Sequence, residues 1–272
     1  MGAIDLEAYF RRIGYSGPRN ATFEVLQALH RAHVGAIAYE ALNPLLGRPV
    51  SLAPEALEEK LLHSPRGGYC FEQNGLLLNV LQTLGYRVTP LAARVRWNMP
   101  EDAPQTPLTH MIMLVHLPEG DFISDAGFGS QNPPVPLRFE PELEQATSHG
   151  TFRLKRAAQD FTVQSLLPEG WLSMYRFRLD AQSPDDYEVY NWYTSAHPLS
   201  RFVNNLAVAR IVGDKRLVIR NREFGVRQPD GTVERSEFRT PEAIHESLKR
   251  DFGIEIECEE IVRVWPRLPG LA

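Results

Sequence analysis

Arg66-Gly67-Gly68-Tyr69-Cys70-Phe71-Glu72-Gln73-Asn74-Gly75 is the stretch around which the chain is read. Directly after it, Leu76, Leu77, Leu78, Val80, Leu81 and Leu84 recur three and four apart, which predicts a helix. Gly85 is placed to end that helix just past its last turn. Gly67-Gly68 predicts an irregular turn in front of it. Cys70 therefore falls at or near a helix N-terminus, where unpaired N–H groups and the macrodipole favour an anion. A thiol held there gives up its proton more readily, and the thiolate is the nucleophile. Glu72 weighs against this, because its charge lies within one turn. On position alone Cys70 stays open between a reactive thiol and a small buried apolar residue, the commoner fate of a free cysteine.

Composition frames the reading. The chain has 272 residues, 43% hydrophobic and 23% charged, as in an ordinary globular protein. That length predicts two domains or one elaborate one, with ample core. A formal net charge of −5 gives no general attraction to nucleic acid or to an anionic membrane. Two cysteines, Cys70 and Cys258, cannot build a disulfide framework, which points to a reducing compartment, the cytoplasm. No run approaches the ~18 apolar residues of a membrane span. Met1-Gly2-Ala3-Ile4-Asp5-Leu6 lacks the apolar core of a signal peptide and the hydroxyl residue of a myristoylation signal. Asn20-Ala21-Thr22 matches a glycosylation sequon and, without a secretion signal, is read as chance.

In chain order, helices are predicted over 5–13, over 22–34 with Thr22 as cap, over 54–62 opened by Pro54, and after Cys70, so that residues 1–85 form a helical bundle carrying the nucleophile. His30 and His33 sit three apart, a spacing that suits packed histidines better than a metal site with no further ligand nearby. From Tyr86 the period shortens. Residues 87–95 read as a strand interrupted by Pro90, and 98–107 as a loop. Short strands follow over 110–117, 122–126, 136–139, 152–156, 161–167 and 171–178, which predicts an antiparallel barrel or sandwich over 86–183. Ser183-Pro184-Asp185-Asp186 starts a helix that runs to Ala196, within an interdomain segment 184–200. Residues 201–272 read as mixed α/β. There are strands over 206–212 and 216–220, a tight turn at Pro229-Asp230-Gly231, a helix from Thr240 to Phe252, and an alternating, half-exposed strand Ile254–Cys258 on which Cys258 packs.

A cysteine nucleophile needs a base, usually histidine, and often a third group that orients the base. His110 opens the apolar strand Met111-Ile112-Met113-Leu114-Val115 straight after a loop. Asp125 ends another apolar strand, just before Ala126-Gly127-Phe128-Gly129. Taken singly, His110 reads as structural and Asp125 as a turn former. Together with Cys70 they resemble one family closely, the arylamine N-acetyltransferases of bacterial type. The resemblance rests on Arg66 through Asn74, on Thr109-His110, and on Asp125 through Gly129, in the order Cys, His, Asp. It covers essentially the whole chain.

The resemblance implies an α+β protein of a helical bundle, a central antiparallel β-barrel and an α/β lid, around a Cys-His-Asp core like that of cysteine proteases and transglutaminases. It implies acetyl-CoA as donor, no metal, and an arylamine, arylhydrazine or hydrazide as acceptor. It implies a catalytic triad of Cys70, His110 and Asp125, with Thr109, Gly127, Phe128 and Gly129 toward CoA and Tyr39, Tyr69, Phe128 and Phe202 toward the acceptor. Neither nucleic acid nor membrane is an expected partner, and the protein is expected to be a monomer or homodimer. Amides of the Gly127-Phe128-Gly129 turn are expected to face CoA phosphates. As a phosphate signal that turn is weak by itself, since no Walker sequence accompanies it.

The departures from the family are local. Where the family has Ile-Pro-Phe-Glu-Asn, this chain reads Ile37-Ala38-Tyr39-Glu40-Ala41, which bears on the choice of acceptor. Glu40 is kept, and the resemblance implies that it pairs with Arg66 and so steadies the loop before Cys70. A surface pair would be worth little. Three other readings compete. A cysteine hydrolase or amide-cleaving enzyme shares the Cys, His, Asp order. A non-catalytic binding protein on the same fold would keep the aromatics without thiol reactivity. A zinc site fits worst, for lack of a C-x-x-C pair.

Overall fold

A computed structural model describes residues 4–228 and 231–270. Pro229 and Asp230 of the expected tight turn, and the first three residues, lie outside the described residues. The N-terminal part holds α1 (Leu6–Ile13), α2 (Phe23–Ala36), β1 (Tyr39–Glu40), α3 (Leu42–Leu45), α4 (Pro54–Leu61) and α5 (Cys70–Thr83). Local chemistry sets their ends. Asp5 Oδ1 accepts from Ala8 N–H at the start of α1, and Gly14 closes it in a left-handed conformation that costs glycine nothing.

The strands β2 (Arg87–Val95), β3 (Leu108–Leu117), β4 (Gly120–Ser124), β5 (Leu137–Arg138), β6 (Gln145–Thr147), β7 (Gly150–Ala157), β8 (Asp160–Leu167) and β9 (Gly170–Ala181) form one antiparallel sheet in the order β5-β4-β3-β2-β9-β8-β7-β6. The sheet curls into a nearly closed barrel. Its two edge strands are joined by Gln145, whose side chain accepts from Arg138 N–H and donates to Arg138 C=O, at 2.7 and 3.0 Å. Leu91, Ala93, Ile112, Leu114, Phe152, Phe161 and Phe177 fill the interior. Strand β3 is buried on both faces, because Met113 and Val115 pack outward against Leu76, Leu77 and Val80 of α5. That double burial explains the unbroken apolar run after His110. Strand β2 runs through Pro90 without a break. The Pro90 carbonyl accepts from Gln182 N–H on the β9 side, so its missing donor also faces β9, where the ladder begins only at Leu91.

Helices α6 (Pro184–Ala196) and α7 (Arg201–Asn204) lead into β10 (Ala207–Val212), β11 (Lys215–Arg220), β12 (Glu223–Arg227) and β13 (Val233–Glu237), then α8 (Pro241–Ser247) and α9 (Cys258–Val264). Ser183 caps α6 reciprocally with Asp186. The C-terminal sheet has the order β1-β10-β11-β12-β13, so the first 85 residues are not purely helical. They give up Tyr39 and Glu40 to a strand that pairs with Ala209 and Val208. The expected strand at Ile254–Cys258 is corrected. The segment is extended, with Ile254 buried, but it has no partner strand among the described residues, and Cys258 opens α9. Its N–H groups go instead to Leu248 and Pro65 carbonyls, so the alternation reflects an extended segment lying on a core.

Candidate active site

Three elements meet at Cys70. Helix α5 begins with it, β3 brings His110, and the end of β4 brings Asp125. All three side chains are buried, at 3%, 2% and 1% exposure, so few waters compete for their contacts. Asp125 Oδ2 lies 2.8 Å from His110 Nε2. The other ring nitrogen, Nδ1, is left unengaged by Asp125, and the Cys70 thiol lies close enough to the ring to favour its charged form. The thiol also points at the Thr109 carbonyl, 3.5 Å away. Burial disfavours charge on His110, but the Asp125 carboxylate, its hydrogen bond and the thiol outweigh that, so the imidazole is held above its ordinary pKa. Burial likewise works against charge on Asp125. His110, Asn74 and Gly127 N–H together outweigh it and hold the carboxyl below its usual range.

The loop ahead of Cys70 is fixed by close backbone approach. A Cβ on Gly67 would stand 1.9 Å from Ala38 O, and one on Gly68 would meet the Glu72 side chain at 2.7 Å. Only glycine fits, and the freed space lets Glu40 N–H donate to Gly68 O at 3.0 Å. Glu40 is fully buried. It accepts from Arg66 Nε at 2.9 Å and from Leu42 N–H at 2.7 Å. Lys60 bridges it to Glu72, which lies 2.6 Å from Nζ. Glu72 also accepts from Tyr69 N–H at 3.1 Å, so its charge is committed to a lysine and to the helix start. This is a buried network, which breaks at a far higher cost than a surface pair.

The N-acetyltransferase family profile matches residues 22–261. The arylamine N-acetyltransferase of Mycobacterium tuberculosis is 42% identical over 257 residues, 93% of this chain and 90% of that one. The chain belongs to the arylamine N-acetyltransferase family. It is an enzyme of that family, an acyltransferase. The structure of the Mycobacterium marinum arylamine N-acetyltransferase superposes with a TM-score of 0.94 at 37% identity, covering 97% of this chain and 100% of that one. The same Mycobacterium marinum protein solved in complex with CoA superposes with a TM-score of 0.93 at 37% identity, over 97% of this chain and 100% of that one.

Around this N-acetyltransferase site the aromatic residues fall into two groups. Tyr39, Tyr69 and Phe202 form one, with ring centroids 6.5 Å (Tyr39–Phe202) and 5.9 Å (Tyr69–Phe202) apart. Tyr69 is wholly buried and its hydroxyl donates to Asn191 of α6, so it backs the group. Phe128 belongs to the other group, 5.2 Å from the His110 ring, with Trp97 and Tyr175 around it. The turn after Asp125 departs from expectation. Gly127 N–H is spent on Asp125 Oδ1 at 2.9 Å and Phe128 N–H on Asn132 Oδ1 at 2.7 Å, so neither is free for a phosphate. Gly127 is needed for another reason, since a Cβ there would lie 2.5 Å from Cys70 Cα.

Several residues of the site had no role assigned from the sequence. Asn74 Nδ2 donates to Met111 O at 2.7 Å and to Asp125 Oδ1 at 3.0 Å, while its Oδ1 accepts from Ala126 N–H at 2.8 Å. Its place four residues after Cys70, on the same helix face, is the one clue the sequence held. Gln73 Nε2 donates to Ala38 O at 2.8 Å, and its Oε1 accepts from His33 Nε2 at 2.7 Å. His33 Nδ1 then accepts from Tyr9 O–H at 3.1 Å. His30 is satisfied by Ser124 and Pro133. Both histidines are packed, with both ring nitrogens paired within the protein. The Tyr175 ring lies tilted, 4.9 Å from that of His110, its buried hydroxyl near Asp125 but without a hydrogen bond of ordinary geometry. Cys258 also opens a helix, but it lies among Glu242, Glu246 and Glu259. Burial first, and then those carboxylates, push its thiol pKa up.

Proposed function

We propose that the chain transfers an acetyl group from acetyl-CoA to the nitrogen of an arylamine, arylhydrazine or hydrazide, by a ping-pong route through an acetyl-Cys70 intermediate. One observation carries the reading: His110 stands between a buried thiol and a buried carboxylate, 2.8 Å from the latter. The membership of the chain in a family with a CoA-bound member supports acetyl-CoA as the donor.

In this reading the Cys70 proton passes to His110 Nδ1, and Asp125 at Nε2 balances the imidazolium and holds the ring. The thiolate attacks the thioester carbonyl carbon. The first backbone N–H groups of α5, which have no partner within the helix, receive the oxyanion. The intermediate collapses, the bond from carbon to the CoA sulfur breaks, and His110 returns its proton to the departing thiolate. Cys70 keeps the acetyl group. The amine then attacks the acetyl carbon, His110 takes its proton, and Cys70 leaves as the thiolate. Tyr39, Phe128 and Phe202 flank the acceptor ring with Tyr69 behind them, Thr109 and Gly129 lie toward the donor, and Glu40 with Arg66 steadies the loop. The segment 201–272 acts as the lid over residues 1–85 and 86–183, with 184–200 between them.

The test is the intact mass of the protein mixed with acetyl-CoA and no amine. One acetyl group should be added, peptide mapping should place it on the Cys70 segment, and an arylamine should remove it. Double-reciprocal plots should be parallel. An unmodified protein together with intersecting lines would overturn the intermediate.

A further inference from the structure

We propose that the cleft walled by β2, β9 and the 98–107 loop binds a diphosphate group, held by Arg94 and Arg176. The cleft has a volume of ≈ 340 Å³, within the range of small-molecule sites. A second concavity, behind Tyr39 and Gly129, measures ≈ 20 Å³, room for a water and no more.

Charge in the cleft is unevenly matched. Arg94 and Arg176 are direct partners across the β2–β9 ladder. Like charges in that position repel, and their side chains start only about 5 Å apart. Two carboxylates line the cleft, Asp160 and Asp180. Asp160 is engaged by Arg178, 2.6 Å from its Nε, and Asp180 forms no ion pair within 4.0 Å among the described residues. Arg94 uses one nitrogen on the Thr106 carbonyl and pairs with no carboxylate among the described residues. Arg176 is half-buried and has no side-chain partner among the described residues. Two neighbouring guanidinium groups with no ion-pair partner among the described residues are the donor set that an anion with two phosphates would satisfy, one fork to each.

The position fits the chemistry. Ala92 and Leu108 line the cleft and also belong to the apolar cluster around Cys70. The turn after Asp125 does not compete for the phosphates, since the amides of Gly127 and Phe128 are already spent. The diphosphate is either that of the acyl donor or that of a separate nucleotide. The binding itself does not depend on the transfer reaction proposed above.

Calorimetric titration of the full chain with ADP and with inorganic pyrophosphate tests the site. R94Q and R176Q should each weaken binding roughly tenfold, the loss of one charge-assisted contact. R153Q, whose arginine stacks on Trp171, should bind as wild type. If the diphosphate is the donor's, KM for acetyl-CoA rises roughly tenfold in R176Q at unchanged kcat, while KM for the phosphate-free donor S-acetyl-N-acetylcysteamine stays put. If it belongs to a separate nucleotide, both KM values stay put and only ADP affinity falls. Folded R94Q and R176Q proteins that bind ADP and pyrophosphate as tightly as wild type would overturn the proposal, as would a wild type that binds neither. An inactive protein that still binds ADP through these arginines would count against the acetyl-transfer reading alone.

Discussion

Asn74 ties the nucleophile's helix to the carboxylate that orients the base. Its Nδ2 donates to Asp125 Oδ1 at 3.0 Å, one helical turn beyond Cys70. The same amide spans Met111 of β3 and Ala126 after β4, so one side chain sets α5 against both strands of the site. Asn74→Ala would leave Asp125, Met111 O and Ala126 N–H short of partners in a buried place. We expect a loss of about 3 kcal/mol in urea unfolding and a turnover at least tenfold lower. Unchanged stability would show that water replaces the amide without penalty.

Asp125→Asn keeps the shape and removes the charge that holds His110 above its ordinary pKa. It also lets an amide select the wrong ring tautomer. Turnover should fall on the order of 10³–10⁴-fold, as when the carboxylate of a Ser-His-Asp triad is neutralised. Iodoacetamide labelling of Cys70 at pH 7 should slow as well. A folded Asp125→Asn protein with near wild-type turnover would remove Asp125 from the mechanism.

Gly127→Ala probes contact rather than charge. The added methyl would lie 2.5 Å from Cys70 Cα and 3.1 Å from its Cβ, and backbone cannot swing aside as a side chain can. The end of β4 must shift, carrying Asp125 away from His110. Activity should drop by more than tenfold and Tm should fall by several degrees. Gly35→Ala, in α2 with open space around its Cβ, is the control and should do neither.

Acid should destabilise the protein through His30 and His33. Burial lowers both to about 4, despite hydrogen bonds that favour the charged form. A histidine depressed on folding binds its proton less tightly in the native state than in the unfolded one. Its contribution is therefore complete above the unfolded value of about 6.5 and is lost as pH falls toward 4. Between pH 7 and pH 5 that amounts to about 2 kcal/mol per histidine. Urea unfolding at the two values should show a clear fall in stability. A flat profile would mean that both rings are already charged in the folded state.

Much of this architecture is legible locally. The start of α5 at Cys70, the reciprocal cap of Ser183 with Asp186, and the double burial of β3 all leave marks within a few residues, because caps and periodicity are short-range effects. The Cys, His, Asp order and the Gly-Gly pair stand in the sequence too, and they point to the family without any geometry. The conformation that requires Gly67 was not legible, since it depends on Ala38, which another segment brings to within 1.9 Å of the missing Cβ.

Other features depend on pairings between distant segments. Tyr39–Glu40 becomes a strand only because β10 lies beside it, and Ile254–Cys258 fails to become one because no strand does. Local alternation records which side of a chain is covered, and says nothing of what covers it. The spent amides at Gly127 and Phe128, the grip of Asn74 on Asp125 and the unmatched pair Arg94–Arg176 all follow from register and packing. The sequence by itself determined which chemistry-bearing residues are present and which short elements carry them. Tertiary structure alone decided which of their hydrogen bonds and charges are satisfied internally and which are left for a substrate, because a donor or charge is satisfied by whatever folding brings within about 3 Å of it.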